Sequence, residues 1–315
     1  MKIAVVIPAF RVKREIVNVF DTIPNFIDKI YVVDDACPDS SGVELSEKVS
    51  SDKLKIIFHK KNTGVGGAVK TGFFHALNDG CDIIIKLDGD GQMDPKILVD
   101  FLDPIREKLC DYAKGNRFNS MSSFKEMPKL RIFGNLVLSF ITKFSSGYYH
   151  VNDPTNGYFA INSNVLKILE IDRLENRYFF ESDLLFQLNL VDACILDVPM
   201  DAKYGSEISS LKVLPNVPVF LAKNLRNLCK RIITKYFIQD FNMGSVYIFF
   251  GCALSIFGSI FGLWSWTETI IQGTPRTSGT VALAMLPLIV GFQLNLSFIN
   301  FDLGRQYKEP LCRTL

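Results

Sequence analysis

At 315 residues the chain is long enough for one or two domains with a sizeable core. A net charge of +2 with no dominant basic run argues against a nucleic-acid scaffold. Seven cysteines without a CxxC pair, and three histidines that do not cluster with them, argue against a zinc site or disulfide framework and fit a reducing compartment.

The N-terminal apolar stretch is too short for a signal peptide and reads as a first strand. Residues 1 to about 110 alternate strand-like and helical runs. The strands are Ile3–Ile7, Lys29–Val33, Leu54–Phe58 and Cys81–Leu87; the helices between them are Val12–Thr22, Val43–Ser50, Gly67–Asp79 and Lys96–Leu109. Such alternation predicts a parallel sheet covered on both faces, with ligands at the carboxyl ends of its strands. Pro8, Asp34-Asp35, Asn62–Gly67 and Asp88–Gln92 all follow strand ends and should meet on one rim.

Asp88-Gly-Asp90-Gly-Gln92 is the most informative of these segments. Two carboxylates two residues apart at a strand mouth can share one divalent ion, and Gly89 and Gly91 let a bulky anion approach the backbone. A hard cation with open positions suits a diphosphate. A solvated Asp/Gly turn is the competing reading.

Gly64-Val-Gly66-Gly67-Ala68 does not make a dinucleotide fingerprint, because its sixth position is Val69. It is a glycine-rich helix start that approaches a nucleotide, or a tight turn. Asp34 and Asp35 could accept hydrogen bonds from a base or ribose; helix capping by Asp34, Asp39 or Ser40 competes.

Residues 111–215 are less regular, with a strand-like Gly157–Ile161 and a helix at Phe179–Leu190. In Val219–Phe237, Leu221, Leu225, Leu228 and Ile232 form one helical stripe, with Lys223, Arg226 and Lys230 opposite. This predicts an interfacial helix on an anionic leaflet, over an amphipathic helix packed on the core. No residue from Phe241 to Thr267 or from Thr277 to Phe301 is charged, and each run exceeds the roughly 20 residues that cross a bilayer. Basic residues precede the first span and follow the second, while the loop Glu268–Arg276 holds a single Arg. Both termini are therefore expected in the cytoplasm, with the protein in the inner or plasma membrane. Gly251, Gly258 and Gly262 offer small-residue faces that suit packing into a homo-oligomer.

Val6-Ile-Pro8-Ala-Phe10, Val32-Val-Asp34-Asp35, Asn62-Thr-Gly64 through Gly72, and Leu87-Asp88-Gly-Asp90-Gly-Gln92 occur in order along the chain. Together they resemble the family 2 glycosyltransferases of GT-A fold. Gly115-Asn-Arg117-Phe, Arg131, Asp153-Pro-Thr-Asn-Gly157, Phe180-Glu181-Ser-Asp183 and Lys203 through Lys212 resemble the dolichyl/polyprenyl-phosphate sugar synthase branch. The resemblance covers about residues 3–215. It implies an α/β fold, a Rossmann-like, mostly parallel GT-A domain over residues 1–215; the apolar stripe and uncharged runs add an amphipathic juxtamembrane helix over 216–240, two transmembrane helices within 241–301 (about 243–266 and 278–300) and a cytoplasmic tail over 302–315, which fits the membrane-anchored members.

By the same resemblance, Pro8, Phe10, Asp34 and Asp35 line the nucleotide pocket, with Gly64 beside them, and Asp88, Asp90 and Gln92 hold Mg²⁺ or Mn²⁺. Arg117, Arg131 and Lys212 grip the acceptor phosphate. Glu181 and Asp183 match an acidic pair that includes the catalytic base in other branches. The implied reaction is inverting transfer of a hexose from a nucleotide sugar to a polyprenyl (undecaprenyl or dolichyl) phosphate at the membrane. Phe10-Arg11-Val12 departs from the family's common Tyr-Asn-Glu, with Glu15 displaced. Arg11 or Lys13 could then reach the donor phosphates, and UDP and GDP both stay open, with UDP preferred. Two alternatives differ in acceptor or class: a glycan or lipid-linked sugar acceptor served by Glu181 or Asp183 as base, and a non-catalytic nucleotide-sugar-binding subunit.

Overall fold

The computed structural model describes all residues except 120–128, 202–212 and 306–308; the side chains of residues 119, 129–133, 135 and 213–216 also lie outside the description. Among the described residues the strands are β1 (Ile3–Ala9), β2 (Lys29–Asp34), β3 (Leu54–Phe58), β4 (Ile83–Lys86), β5 (Tyr112–Asn116), β6 (Phe159–Asn162) and β7 (Ile195–Pro199). They form one sheet in the order β3-β2-β1-β4-β6-β5-β7. Only β6 runs antiparallel to its neighbours. The carboxyl ends of the other strands and the start of β6 therefore share one rim.

The helices up to residue 233 are α1 (Ile16–Thr22), α2 (Ser41–Lys48), α3 (Val65–Asn78), α4 (Leu98–Arg106), α5 (Lys129–Ser146), α6 (Ser163–Ile168), α7 (Phe180–Leu190) and α8 (Val213–Ile233). Alternation along β1 divides the apolar side chains between two cores. Ile3, Val5, Ile7 and Ala9 pack with Ile16, Val19, Leu98 and Phe101. Ala4 and Val6 pack with Val69, Phe73, Phe180 and Leu184. Period-two burial on both faces is what a covered parallel sheet requires. Gly72 lets α3 approach closely, since a Cβ there would lie 2.2 Å from Val6 Cγ1.

The strands of residues 1–110 fall where periodicity places them, but two helices are shorter than expected. Arg11 sits at φ 59°, and the Val12 amide donates to Ser41 Oγ at 3.1 Å, so α1 begins only at Ile16. Pro95–Ile97 is a 3₁₀ turn capped by Asp94, whose side chain accepts from the Lys96 amide. After α4 the Leu109 amide turns back to the Pro104 carbonyl. In the less regular region, β5, β7 and α5 have no expected counterpart. β5 carries Lys114 and Asn116 in a wholly buried strand. α5 inverts the usual pattern: Ser139, Thr142 and Ser145 are buried, while Leu136, Val137 and Phe140 are exposed.

The chain divides into two units, residues 1–228 with 307–315, and residues 229–306. The C-terminal residues thus belong to the sheet domain. There the carboxylate of buried Asp111 accepts from the amides of Leu311 at 2.9 Å and Cys312 at 2.8 Å.

The second unit contains α9 (Met243–Gln272) and α10 (Ser278–Gly304), both long and apolar enough to cross a membrane. Only 11% and 17% of their most apolar windows are buried, which separates them from core helices of a water-soluble domain. Asn242 opens α9 with a capping box, and Gly273 closes it at φ 63°. The small residues are used inside this pair. A Cβ at Gly251 would lie 2.4 Å from Asn295 Oδ1, one at Gly258 2.8 Å from Leu288 Cγ, and Asn295 donates to Ser255 Oγ. At the base of the unit, Arg231 forms two hydrogen bonds of 2.8 Å with Asp302, which also accepts from Tyr236.

Candidate functional site

β4 delivers the Asp88–Gln92 loop to the carboxyl rim of the sheet. Gly91 takes φ 75°, and the Gln92 amide donates to Asp90 Oδ1 at 3.0 Å, which folds the loop on itself. The Asp88 side chain is 27% exposed and its Oδ1 contacts Lys86 Nζ at 2.6 Å. Among the described residues no group of three or more His, Cys, Asp or Glu side chains is gathered closely enough to hold a metal ion. Two carboxylates fit a hard cation that takes its remaining ligands from an anionic substrate and water. A cavity of about 400 Å³ opens beside the loop, lined in part by Glu15, Asn18, Asp90 and Lys96.

Asp34 and Asp35, at the end of β2, are buried and turned inward. Asp34 accepts from the amides of Cys37 and Gly42, both at 2.8 Å, which serves the start of α2. Asp35 accepts from the Thr63 amide and hydroxyl, the Gly64 amide and His59 Nδ1, all within 2.8 Å. Burial alone would raise the Asp35 pKa, but these donors hold it below the usual carboxylate value. Asp35 thereby pins the turn in which Gly64 takes φ 93° before α3. Gly66 packs against the Glu175 carbonyl, where a Cβ would lie at 2.3 Å. The glycines at this helix start are thus required by backbone and packing. At the end of β1, Phe10 is exposed, with the Arg11 guanidinium 5.4 Å from its ring centre; Pro8 lies within the strand.

Arg117 follows β5, whose carboxyl end shares the rim with that of β4. Its Nε and Nη2 donate to the two oxygens of Asp153 at 2.7 and 3.0 Å, and Asp153 is fully buried. A bidentate anchor of this kind fixes the guanidinium plane. Arg131 lies in the first turn of α5 with its side chain outside the described residues, and Lys212 lies outside them altogether.

Glu181 and Asp183 diverge, because residues two apart on a helix do not share a face. Glu181 Oε1 lies 3.5 Å from Lys86 Nζ, and burial raises its pKa against the pull of that ammonium. Asp183 accepts from the Glu175 amide at 3.0 Å and from Asn227 Nδ2 on α8 at 2.8 Å. Burial raises its pKa too. Only Glu181 is brought to the Asp88 loop.

Two buried lysines complete the cluster, and neither was foreseen as a site residue. Burial would lower the Lys86 pKa, but the Asp88 and Glu181 carboxylates raise it above the usual lysine value. Lys114 donates to the Asn156 carbonyl at 2.6 Å, and burial pulls its pKa down to about 8. The signal for Lys86 is a single charge ending the buried run Ile83-Ile84-Ile85; Lys114 sits in a strand too polar to be read as one.

Residues 4–169, more than half of the chain, match the profile described as glycosyl transferase family 2. The chain is 33% identical over 216 residues to the UDP-N-acetylglucosamine–dolichyl-phosphate N-acetylglucosaminyltransferase of Methanococcus voltae, covering 64% of this chain and 86% of that protein. It is 28% identical over 182 residues to the undecaprenyl-phosphate mannosyltransferase of Micrococcus luteus, covering 57% and 73%. Its fold is similar to that of Mycobacterium tuberculosis glucosyl-3-phosphoglycerate synthase, solved with Mn²⁺, UDP and product, at a TM-score of 0.54 and 16% identity over 73% of this chain and 79% of that one.

Proposed function

The chain belongs to glycosyl transferase family 2 and is a glycosyltransferase, and from that premise we propose that it moves a hexose from a UDP-sugar to a polyprenyl phosphate at the cytoplasmic face of a membrane. The observation that carries this reading is one rim holding both the Asp88–Asp90 loop and Arg117, the latter locked by buried Asp153. One side suits a donor diphosphate and the other an acceptor phosphate. The relatives' names support the acceptor, and the Methanococcus relative's name supports UDP.

Asp88 and Asp90, with Gln92 beside them, would hold Mg²⁺ or Mn²⁺. When bound, the ion supplies charge stabilisation to the departing nucleotide diphosphate. A phosphate monoester, with a second pKa near ~6, is already largely ionised at neutral pH and needs no general base. It needs orientation against a like-charged donor, which Arg117 gives in a fixed plane, with Arg131 and Lys212 assigned to the same phosphate. Attack from the face opposite the leaving diphosphate inverts the anomeric centre. Pro8, Phe10 and Arg11 form the nucleotide side of the rim, and Asp34, Asp35 and Gly64 hold its floor. Glu181 stays beneath the sugar site, and Asp183 secures α8.

Membrane anchoring rests on α9 and α10 and on the exposed stripe of α8. Val217, Val219, Leu221 and Leu225 are exposed there, while Asn224 and Asn227 are buried. Lys223 and Arg226 pair with Glu175. A helix that turns its polar side to the protein and its apolar side outward is suited to a lipid surface.

The test is transfer of radiolabelled sugar from UDP- and GDP-sugars to undecaprenyl phosphate by the purified chain. Asp90→Ala should reduce transfer by about 10²–10³-fold with an unchanged melting temperature. Full activity in that variant would refute the cation role, and a new glycosidic bond in the product would refute the phosphate acceptor.

A further inference from the structure

Lys86 is fully buried on the central strand β4, where an ammonium is costly unless neutralised. Its Nζ lies 2.6 Å from Asp88 Oδ1 and 3.5 Å from Glu181 Oε1. Gly157 closes the remaining side: a Cβ there would lie 2.2 Å from Nζ, 2.9 Å from Asp88 Oδ2 and 3.5 Å from Glu181 Oε1. One ammonium thus stands between two carboxylates contributed by different elements, in a space shaped by a residue without a side chain. Remove the ammonium, and two carboxylates are left around one small space. Such a pair takes up a proton or a cation.

We propose that Lys86 is a positioning residue of the donor site, an inference that rests on reading Asp88 as a cation ligand. It holds Asp88 Oδ1 and prevents an ion from bridging Asp88 and Glu181. The site is thereby kept at low cation affinity until a diphosphate brings its own negative charge. Glu181 is the partner that makes this necessary, since Asp88 alone would need no separation.

The experiment titrates the full-length chain in detergent with Mn²⁺ alone and counts free Mn²⁺ by electron paramagnetic resonance. Lys86→Met should bind Mn²⁺ more tightly than wild type, on the order of tenfold or more, as expected for removing a cationic neighbour of Asp88. Its loss of transfer should appear in kcat rather than in donor KM. Lys86→Gln, uncharged and close in size, should tighten Mn²⁺ binding in the same direction. Mn²⁺ affinity in folded Lys86→Met equal to or below wild type overturns the proposal. Should that variant fail to fold, the same result in Lys86→Gln overturns it. If instead Asp88→Asn binds Mn²⁺ as well as wild type does, the reading of Asp88 itself has failed, a result distinct from failure of the Lys86 role alone.

Discussion

Asp35 is a site candidate whose hydrogen bonds are all internal. Four donors from Thr63, Gly64 and His59 converge on one buried carboxylate, and they come from a segment more than twenty residues away. Its folded pKa is depressed, so the stability it contributes is present above the unfolded value near ~3.9 and is lost as pH falls through the folded value. Asp35→Asn should therefore cost about 2 kcal/mol near pH 7, and the gap to wild type should close as pH is lowered towards and below about 4. Thermal melting of both proteins across that range checks this, and a gap independent of pH would exclude the carboxylate's charge as the cause. The Asp88–Asp90 loop was legible because its chemistry is local: two acids and two glycines in five residues after an apolar strand. The commitments of Asp34 and Asp35, and the divergence of Glu181 from Asp183, were not legible. They depend on which distant amides and side chains the fold brings to each oxygen.

At the level of elements, periodicity located β1 to β4 and α3 well, because those segments bury apolar residues at strand or helix spacing. It failed for β5 and α5, where burial falls on Lys114, Ser139, Thr142 and Ser145 instead. The C-terminal tail is another element invisible in the pattern. Its docking depends on Asp111, which also accepts from the Cys194 amide at 2.8 Å. Cys312 is buried there, and burial with the nearby Asp111 pushes its thiol up to about 11, so it should alkylate slowly at pH 8. Asp111→Ala removes two charge-assisted hydrogen bonds to the tail and should raise maleimide labelling of Cys312 roughly tenfold or more. Peptide mapping of the labelled protein measures this. Unchanged labelling would mean that the tail is held by other contacts.

For the whole molecule, the outward apolar face of α8 and the two long helices of the second unit make a lipid surface the expected neighbour. With the exposed Cys229 and Cys252 replaced by serine, a fluorophore on Leu225→Cys should be quenched by lipids carrying a headgroup-proximal nitroxide when the chain is in vesicles. The same label on Val43→Cys, exposed on α2, should not be. Equal quenching at both positions would rule out a defined interfacial role for α8. The packing of Gly251 and Gly258 against α10 gives these residues an internal use, which removes the small-residue argument for oligomer contacts at those positions.

The sequence by itself determined the α/β alternation, the acidic loop at a strand end, the two long apolar segments and the amphipathic stripe before them. Each is written in nearest neighbours or in a short period, and burial needs no more than that to act. Only the tertiary structure decided that Lys86 stands between Asp88 and Glu181, that Asp153 fixes Arg117, that α8 turns its polar side inward and that the tail closes on Asp111. A buried charge is tolerable only beside its partner, and the partners here lie 36 to 201 residues away along the chain except for Asp88. No local pattern encodes such pairings; the crossing of strands and helices makes them.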